Sequence, residues 1–369
     1  RVLTYINSFL QNLTATRNDS RYGPALAERV LLLGADGHTP INVGSGPGLQ
    51  AGLLDLSTAR GQAFAQRMVS DMLGTGTSGW MADFGEYVPF DARPHSGETA
   101  LREHNRYPLQ WQRANRLAAA GASDVPVWFA RSSGLTSPEE VPLFWLGDQM
   151  PSWDGDDGLA STVTALLSSG VSGHALTHSD TGGYTTVELP FARYTRSAEL
   201  LQRWTELNVF TAVLRSHEGS VPDLNAQPYD GAQVAHFARC SQLFASLAPY
   251  RAELMAEAST RGWPLVRPTW LHYESDEATL DLDRQFLLGA DLLVAPVLQP
   301  RASEVRAYLP RGLWRSAFGG DVHNSTGMWL QVQAPLGKPA AFARLDPASQ
   351  TPRPSLKPFL ELVALRDGA

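Results

Sequence analysis

Short apolar runs alternate with longer stretches of helical spacing along most of this chain, and that alternation limits the folds open to it. The runs cover residues 2–6, 79–82, 125–130, 143–146, 174–176 and 265–270, and several end in a polar or charged residue. Each is too short for a buried helix, so each reads as a strand. Between them lie segments with a 3.6-residue period. One covers residues 63–72. Another carries Leu200, Leu201, Trp204, Leu207, Phe210 and Leu214, and a third runs from Val234 through Phe237, Phe244 and Leu247 to Leu254. Strands that alternate with helices predict a parallel sheet covered by helices, an α/β architecture. Functional residues at the carboxyl ends of the strands would suit an (α/β) barrel.

The helical period stops near residue 285. Residues 291–297, 307–309 and 328–334 read as strands, separated by the turn signals Pro310-Arg311-Gly312 and Gly319-Gly320. A small C-terminal β domain follows. The glycine-rich loop Gly44-Ser-Gly-Pro-Gly48 lacks the lysine and spacing of a phosphate cradle, so it reads as a turn.

Composition removes several functions. Lys and Arg total 30 against 37 Asp and Glu, a net charge of -7, which argues against a nucleic-acid partner. No apolar run approaches the roughly 20 residues of a membrane span. Cys240 is the single cysteine, which excludes an internal disulfide and a multi-thiolate metal site. It is also compatible with a reducing compartment, which favours a cytoplasmic location without fixing one. The triplets Asn12-Leu-Thr14, Asn18-Asp-Ser20 and Asn324-Ser-Thr326 match the N-glycosylation pattern, which arises often by chance. The chain opens on Arg1 without a leader pattern, so it reads as a fragment or processed product.

The densest polar and aromatic cluster is Gly79-Trp-Met-Ala-Asp-Phe-Gly-Glu-Tyr87, where a strand delivers Asp83 to its end and Glu86 follows. A second is Phe144-Trp-Leu-Gly-Asp-Gln149, which ends in Asp148. Two carboxylates on two strand ends, among tryptophans, are what glycoside hydrolysis requires. One attacks or stabilises the anomeric carbon and the other protonates the departing oxygen. The competing reading of each Asp is a turn or helix cap. Arg131 ends another strand as a hydroxyl or anion ligand, and polar groups crowd His178-Ser-Asp-Thr-Gly-Gly-Tyr184 and Leu214-Arg-Ser-His-Glu218. His174, His178 and His217 do not fall in an HExxH metal motif, and no G-x-S-x-G elbow supports a serine hydrolase.

Taken together, these motifs resemble glycoside hydrolase family 31, and within it most closely the sulfoquinovosidases. The matching segments are Arg1-Val-Leu-Thr-Tyr-Ile-Asn7, Gly79-Trp-Met-Ala-Asp-Phe-Gly-Glu-Tyr-Val-Pro89, Trp145-Leu-Gly-Asp-Gln149 and Asp156-Asp-Gly-Leu-Ala160. Further on come His178-Ser-Asp-Thr-Gly-Gly-Tyr-Thr185, Arg215-Ser-His-Glu-Gly219, Val266-Arg-Pro268 and Leu288-Gly-Ala-Asp-Leu-Leu-Val-Ala-Pro296. The resemblance implies a TIM (β/α)8-type barrel over residues 1–287, incomplete at its N-terminus and holding strands three to eight, then an all-β domain over 288–369. The six strands counted lie near residues 2–6, 79–83, 125–130, 143–147, 173–178 and 264–270.

The same resemblance implies Asp83 as nucleophile and Asp148 as general acid/base, with carboxyl groups about 5–6 Å apart in the assembled site. It also implies that Glu86, Arg131, Trp145, Asp180 and His217 shape the sugar subsite, and that Tyr184 helps hold a sulfonate. A sulfonate-gripping arginine and tryptophan would lie upstream of Arg1. The chemistry needs no cofactor or metal, its partner is a small α-glycoside, and an oligomer is compatible with it. Two alternatives stand beside the sulfoquinovosidase reading. One is an α-glucosidase or α-xylosidase of the same family; the other is a non-catalytic or truncated, inactive carbohydrate-binding relative.

Overall fold

The structure is a computed structural model that describes residues 1–12, 21–44, 50–122 and 124–367. Most of the glycine-rich loop, the triplet at Asn18, and Leu13 and Thr14 of the first triplet lie outside the described residues. The chain folds as two compact units, Arg1–Phe144 and Trp145–Ala369, and passes from one to the other within the strand Leu143–Trp145.

In the first unit the strands Leu3–Asn7, Gly79–Asp83, Val127–Ala130 and Leu143–Trp145 lie side by side in that order, all parallel. Two helices connect them. Ala59–Leu73 starts at Thr58, whose side chain accepts from the Gly61 amide, and it buries Phe64, Ala65, Met68 and Val69. That spacing of three and four places its apolar residues on one stripe. Ala100–Ala119 buries Tyr107, Trp111, Ala114 and Ala118 in the same manner. Its polar Asn115 is also buried and accepts from Trp80 Nε1 at 2.8 Å, which satisfies both groups. Trp80 stacks on Trp128 with ring centroids 6.0 Å apart, so neighbouring strands lock through their aromatic residues.

In the second unit the Leu146 amide donates to the His178 carbonyl at 3.0 Å. Asp180–Thr181 then pairs in parallel with Arg215–Ser216. The helices Leu159–Val171, Ala198–Asn208, Gly231–Ser246 and Ala248–Arg261 follow their strands. The expected single helix through Leu254 is therefore two helices. It breaks at Leu247, because Pro249 near the start of the second helix has no amide to continue the first. Cys240 is buried within this helical core beside Leu243 and Leu247.

The strand count needs one correction. Val266–Arg267, expected as the last barrel strand, pairs antiparallel with Phe286–Leu288. It is the edge of a six-stranded antiparallel sheet that continues through Leu292–Ala295, Ala340–Leu345, Gly312–Ser316 and Val322–Ser325. Arg215–Ser216 is a parallel strand that the sequence reading did not count. The boundary expected after residue 287 falls inside the strand Phe286–Leu288. The central strands are apolar on both faces because both are covered. Phe286, Leu288, Leu292 and Val294 join the helical core, while Leu287, Leu293 and Ala295 meet residues of the antiparallel pair Glu304–Leu309 and Met328–Gln333. The C-terminal region is thus β-rich, as expected, and it ends in a helix that was not expected. Lys357–Asp367 buries Phe359, Leu360 and Val363 in the helical core. Among the described residues no helix is long and apolar enough to cross a membrane.

Candidate active site

In the first unit the chemistry gathers at the carboxyl end of Gly79–Asp83. Asp83 is the last residue of that strand and is buried. Its Oδ1 accepts from the Phe84 amide at 2.8 Å and faces Arg131 Nη1 at 3.4 Å. Its Oδ2 accepts from the Tyr5 hydroxyl at 2.6 Å. The chain turns sharply behind it, with Phe84 at φ 60° and Gly85 at φ 107°. A side chain on Gly85 would also meet Ser132 Oγ at 2.5 Å, so only glycine fits there. Ser132 Oγ donates to the Phe84 carbonyl at 2.8 Å and pins the turn to the segment that carries Arg131.

Arg131 follows the strand Val127–Ala130. Its Nε and Nη2 donate to Glu86 Oε1 at 2.9 and 2.5 Å, and its guanidinium lies 4.3 Å from the centre of the Phe84 ring. The three expected residues Asp83, Glu86 and Arg131 therefore form one cluster. Burial pushes the Glu86 carboxyl up against the pull of Arg131, and the Asp83 charge adds to the rise. Glu86 Oε2 is buried with no hydrogen-bond partner among the described residues.

The second unit holds the other expected residues. Trp145 Nε1 donates to the Gly147 carbonyl at 2.9 Å, which curls the chain towards exposed Asp148. The Thr185 hydroxyl donates to the Asp148 carbonyl at 2.7 Å, and the Tyr184 and Thr185 amides donate to the Gln149 carbonyl at 2.7 and 3.1 Å. Between them, Gly183 sits at φ 78°, and a side chain there would stand 2.8 Å from the Met150 backbone. The turn that bears Tyr184 is thus stapled to the segment that bears Asp148.

Asp180 is buried and pairs with Arg215, whose guanidinium also contacts His178 Nε2 at 3.3 Å and lies 5.8 Å from the Trp145 ring centre. The Tyr184 and His217 rings meet edge to face at 4.7 Å. His217 Nδ1 accepts from the Gly219 amide at 3.1 Å. Burial, with Arg215 and Arg196 nearby, pushes the His217 pKa down, so its ring stays neutral and polar. Trp145, Asp180, Tyr184 and His217 are brought together by these links. Among the described residues no group of three or more His, Cys, Asp or Glu is arranged to hold a metal.

Three residues with structural roles at these clusters escaped the sequence reading. Tyr5 bonds Asp83 from the neighbouring strand. Arg215 bridges Asp180 and Trp145. Arg196 is buried and donates to the carbonyls of Gly183, His217, Glu218 and Ala226. Burial lowers its pKa to about 10, so it remains charged at neutral pH. Tyr5 and Arg215 lie in segments quoted above for the resemblance; nothing in the sequence pattern marks Arg196.

An α/β unit with a trussed carboxylate at a strand end, followed by a β-rich region, is the architecture of a barrel glycosidase. The family description "Glycosyl hydrolases family 31 TIM-barrel domain" matches residues 2–255, and "Glycosyl hydrolase family 31 C-terminal domain" matches residues 262–346. The chain belongs to glycosyl hydrolase family 31. It is 41% identical over 300 residues to the sulfoquinovosidase of Escherichia coli (strain K12), a match that covers 80% of this chain and 43% of the relative. It is 40% identical over 301 residues to the sulfoquinovosidase of Agrobacterium fabrum, covering 80% and 45%. A solved family 31 sulfoquinovosidase from E. rectale, in complex with an aza-sugar inhibitor, superposes with a TM-score of 0.91 at 34% identity. That superposition covers 98% of this chain and 52% of the other. The chain thus spans about half the length of these relatives.

Proposed function

We propose that this chain carries the catalytic carboxylates of a retaining exo-α-glycosidase that hydrolyses α-sulfoquinovosides. The observation that carries the reading is the setting of Asp83. A carboxylate held at both oxygens, at the end of an apolar strand, supports the reading of a positioned nucleophile over that of a solvated cap. Its place within a family 31 chain 41% identical to a sulfoquinovosidase supports the substrate class.

The proposed reaction has two displacements. Asp83 attacks the α-anomeric carbon while Asp148 gives its proton to the glycosidic oxygen, so the C–O bond to the aglycone breaks and a glycosyl ester forms. Water then attacks the same carbon. Asp148, now the base, takes the water's proton, and the bond to Asp83 breaks to free the sugar with its configuration retained. In this proposal Arg131 and Glu86 support the nucleophile's side of the sugar. Trp145, Asp180 and His217 contact the ring, and Tyr184 donates towards the sulfonate.

The test is turnover of an aryl α-sulfoquinovoside against the matching aryl α-glucoside by the full-length protein. A clear preference for the sulfoquinovoside is expected. A preference for the glucoside would install the α-glucosidase reading instead, and turnover of neither substrate would favour the non-catalytic one.

A further inference from the structure

Asp83 receives its shortest hydrogen bond from a residue on another strand. Leu3–Asn7 and Gly79–Asp83 pair in parallel with Asn7 opposite Asp83. Side chains alternate along a strand, so Tyr5, Asn7 and Asp83 point to the same face. Tyr5 OH lies 2.6 Å from Asp83 Oδ2, and Asn7 Nδ2 lies 3.0 Å from the same phenol oxygen.

The direction of each bond follows from what Asn7 does with its other end. Asn7 Oδ1 accepts from the Phe9 amide at 3.0 Å, which orients the amide so that its NH2 faces Tyr5. The phenol oxygen therefore accepts from Asn7, and its single proton is left for the carboxylate. Burial and the Asp83 charge push the Tyr5 phenol well above its ordinary pKa, so it stays a donor. The two carboxylate oxygens are held from different sides, Oδ1 by the Phe84 amide and Arg131, Oδ2 by Tyr5. With both anchored, rotation about the Cβ–Cγ bond is blocked.

We infer that Tyr5, oriented by Asn7, is the positioning residue for the Asp83 carboxylate, fixing its plane for attack on the anomeric carbon. This rests on the proposal that Asp83 is the nucleophile. The charged or titratable groups that face Asp83 include Tyr5 from the neighbouring strand Leu3–Asn7, Arg131 from the segment after Val127–Ala130, and Glu86 from the turn that follows Asp83. Tyr5 is the donor that can be removed without disturbing a charge.

The experiment uses the full-length protein with Tyr5→Phe, assayed with a 4-nitrophenyl α-sulfoquinovoside, whose acidic leaving group needs little help from Asp148. Loss of a hydrogen bond to a charged group should lower kcat/KM about tenfold to a hundredfold. KM should change little. The loss should therefore fall on kcat, and because Tyr5 is 51% exposed, Tm should hold. An unchanged kcat would overturn the inference. So would a lower kcat that comes only with a lower Tm or a matching rise in KM, since that is the signature of mere bracing. A 5-fluoro-α-glycosyl fluoride trap, with the labelled peptide located by mass, separates the two levels of the argument. Label on Asp83 in the parent enzyme leaves only the Tyr5 inference at stake, whereas label on another carboxylate removes the nucleophile and the inference with it.

Discussion

The guanidinium of Arg196 donates to the His217 carbonyl at 2.7 Å and, through the same nitrogen, to the Gly183 carbonyl at 3.2 Å. One buried cation therefore ties the turn after Asp180–Thr181 to the turn after Arg215–Ser216. Its other nitrogens reach Ala226, Glu218 and Gln227, so that little of the fork is left for substrate. Its part is to hold two turns in register.

Replacement of Arg196 by Met should therefore cost stability first. Several buried carbonyls would lose their donor at once, for a loss of about 3 kcal/mol or more in denaturant unfolding. Arg196→Lys keeps the charge but cannot span the same acceptors, and should fall in between. A loss below about 1 kcal/mol for the Met variant would mean that the turns stand without the cation.

The carboxylates are separable by leaving group. Asp83→Asn should abolish turnover of every substrate, because an amide cannot form the glycosyl ester. Asp148→Asn should be far less damaging for nitrophenyl than for alkyl glycosides, since a nitrophenolate departs without a proton. Rates measured on both substrate classes decide it, and equal losses for the Asp148 variant would rule out an acid role.

Substrate choice tests Tyr184. A sulfonate is an anion at neutral pH and needs donors to replace its lost water. One phenol donating to it is worth about 1–3 kcal/mol. Tyr184→Phe should thus lower kcat/KM for an α-sulfoquinovoside some tenfold to a hundredfold while scarcely touching an α-glucoside. Parallel losses on both would reassign Tyr184 to bracing the turn against His217, where its ring already packs.

Acid should weaken the second unit through two histidines. Burial lowers the His174 pKa from 6.5 to about 4, and burial with the nearby Arg267 does the same for His272. The unfolded chain then takes up protons that the folded chain refuses. The stability from these rings is whole above pH 6.5 and is lost as pH falls towards 4, at a slope of up to roughly 1.4 kcal/mol per pH unit for each group. Urea midpoints between pH 7 and pH 4 should fall, and His174→Leu should flatten that slope. The same slope in the variant would absolve His174.

Much of this was legible in the chain. Gly79–Asp83 was placed to the residue because its apolar run ends on a charge, and Met328–Gln333 showed its alternation. Arg215–Ser216 was missed because two residues cannot show a period, and only its pairing with Asp180–Thr181 defines it. Val266–Arg267 misled for the converse reason, since an apolar run looks alike in a parallel and an antiparallel sheet. At the site, residue type announced Asp83 and Glu86, while Tyr5 and Arg196 owe their roles to partners 78 and up to 31 positions away. No local pattern contains such distances.

The staple at Gly183 binds two chemical properties into one inheritance. In the proposed reaction Tyr184 would answer to which sugar is chosen and Asp148 to which aglycone can leave, yet their segments share the Gln149 carbonyl and leave no room for a side chain between them. A graft that exchanges the 182–186 turn to retune the sugar would tug on the segment of Asp148, the proposed proton donor, as well. Changes of specificity at this turn should therefore arrive with altered leaving-group dependence, and a designer who wants one without the other must work from the Arg215 side of the subsite.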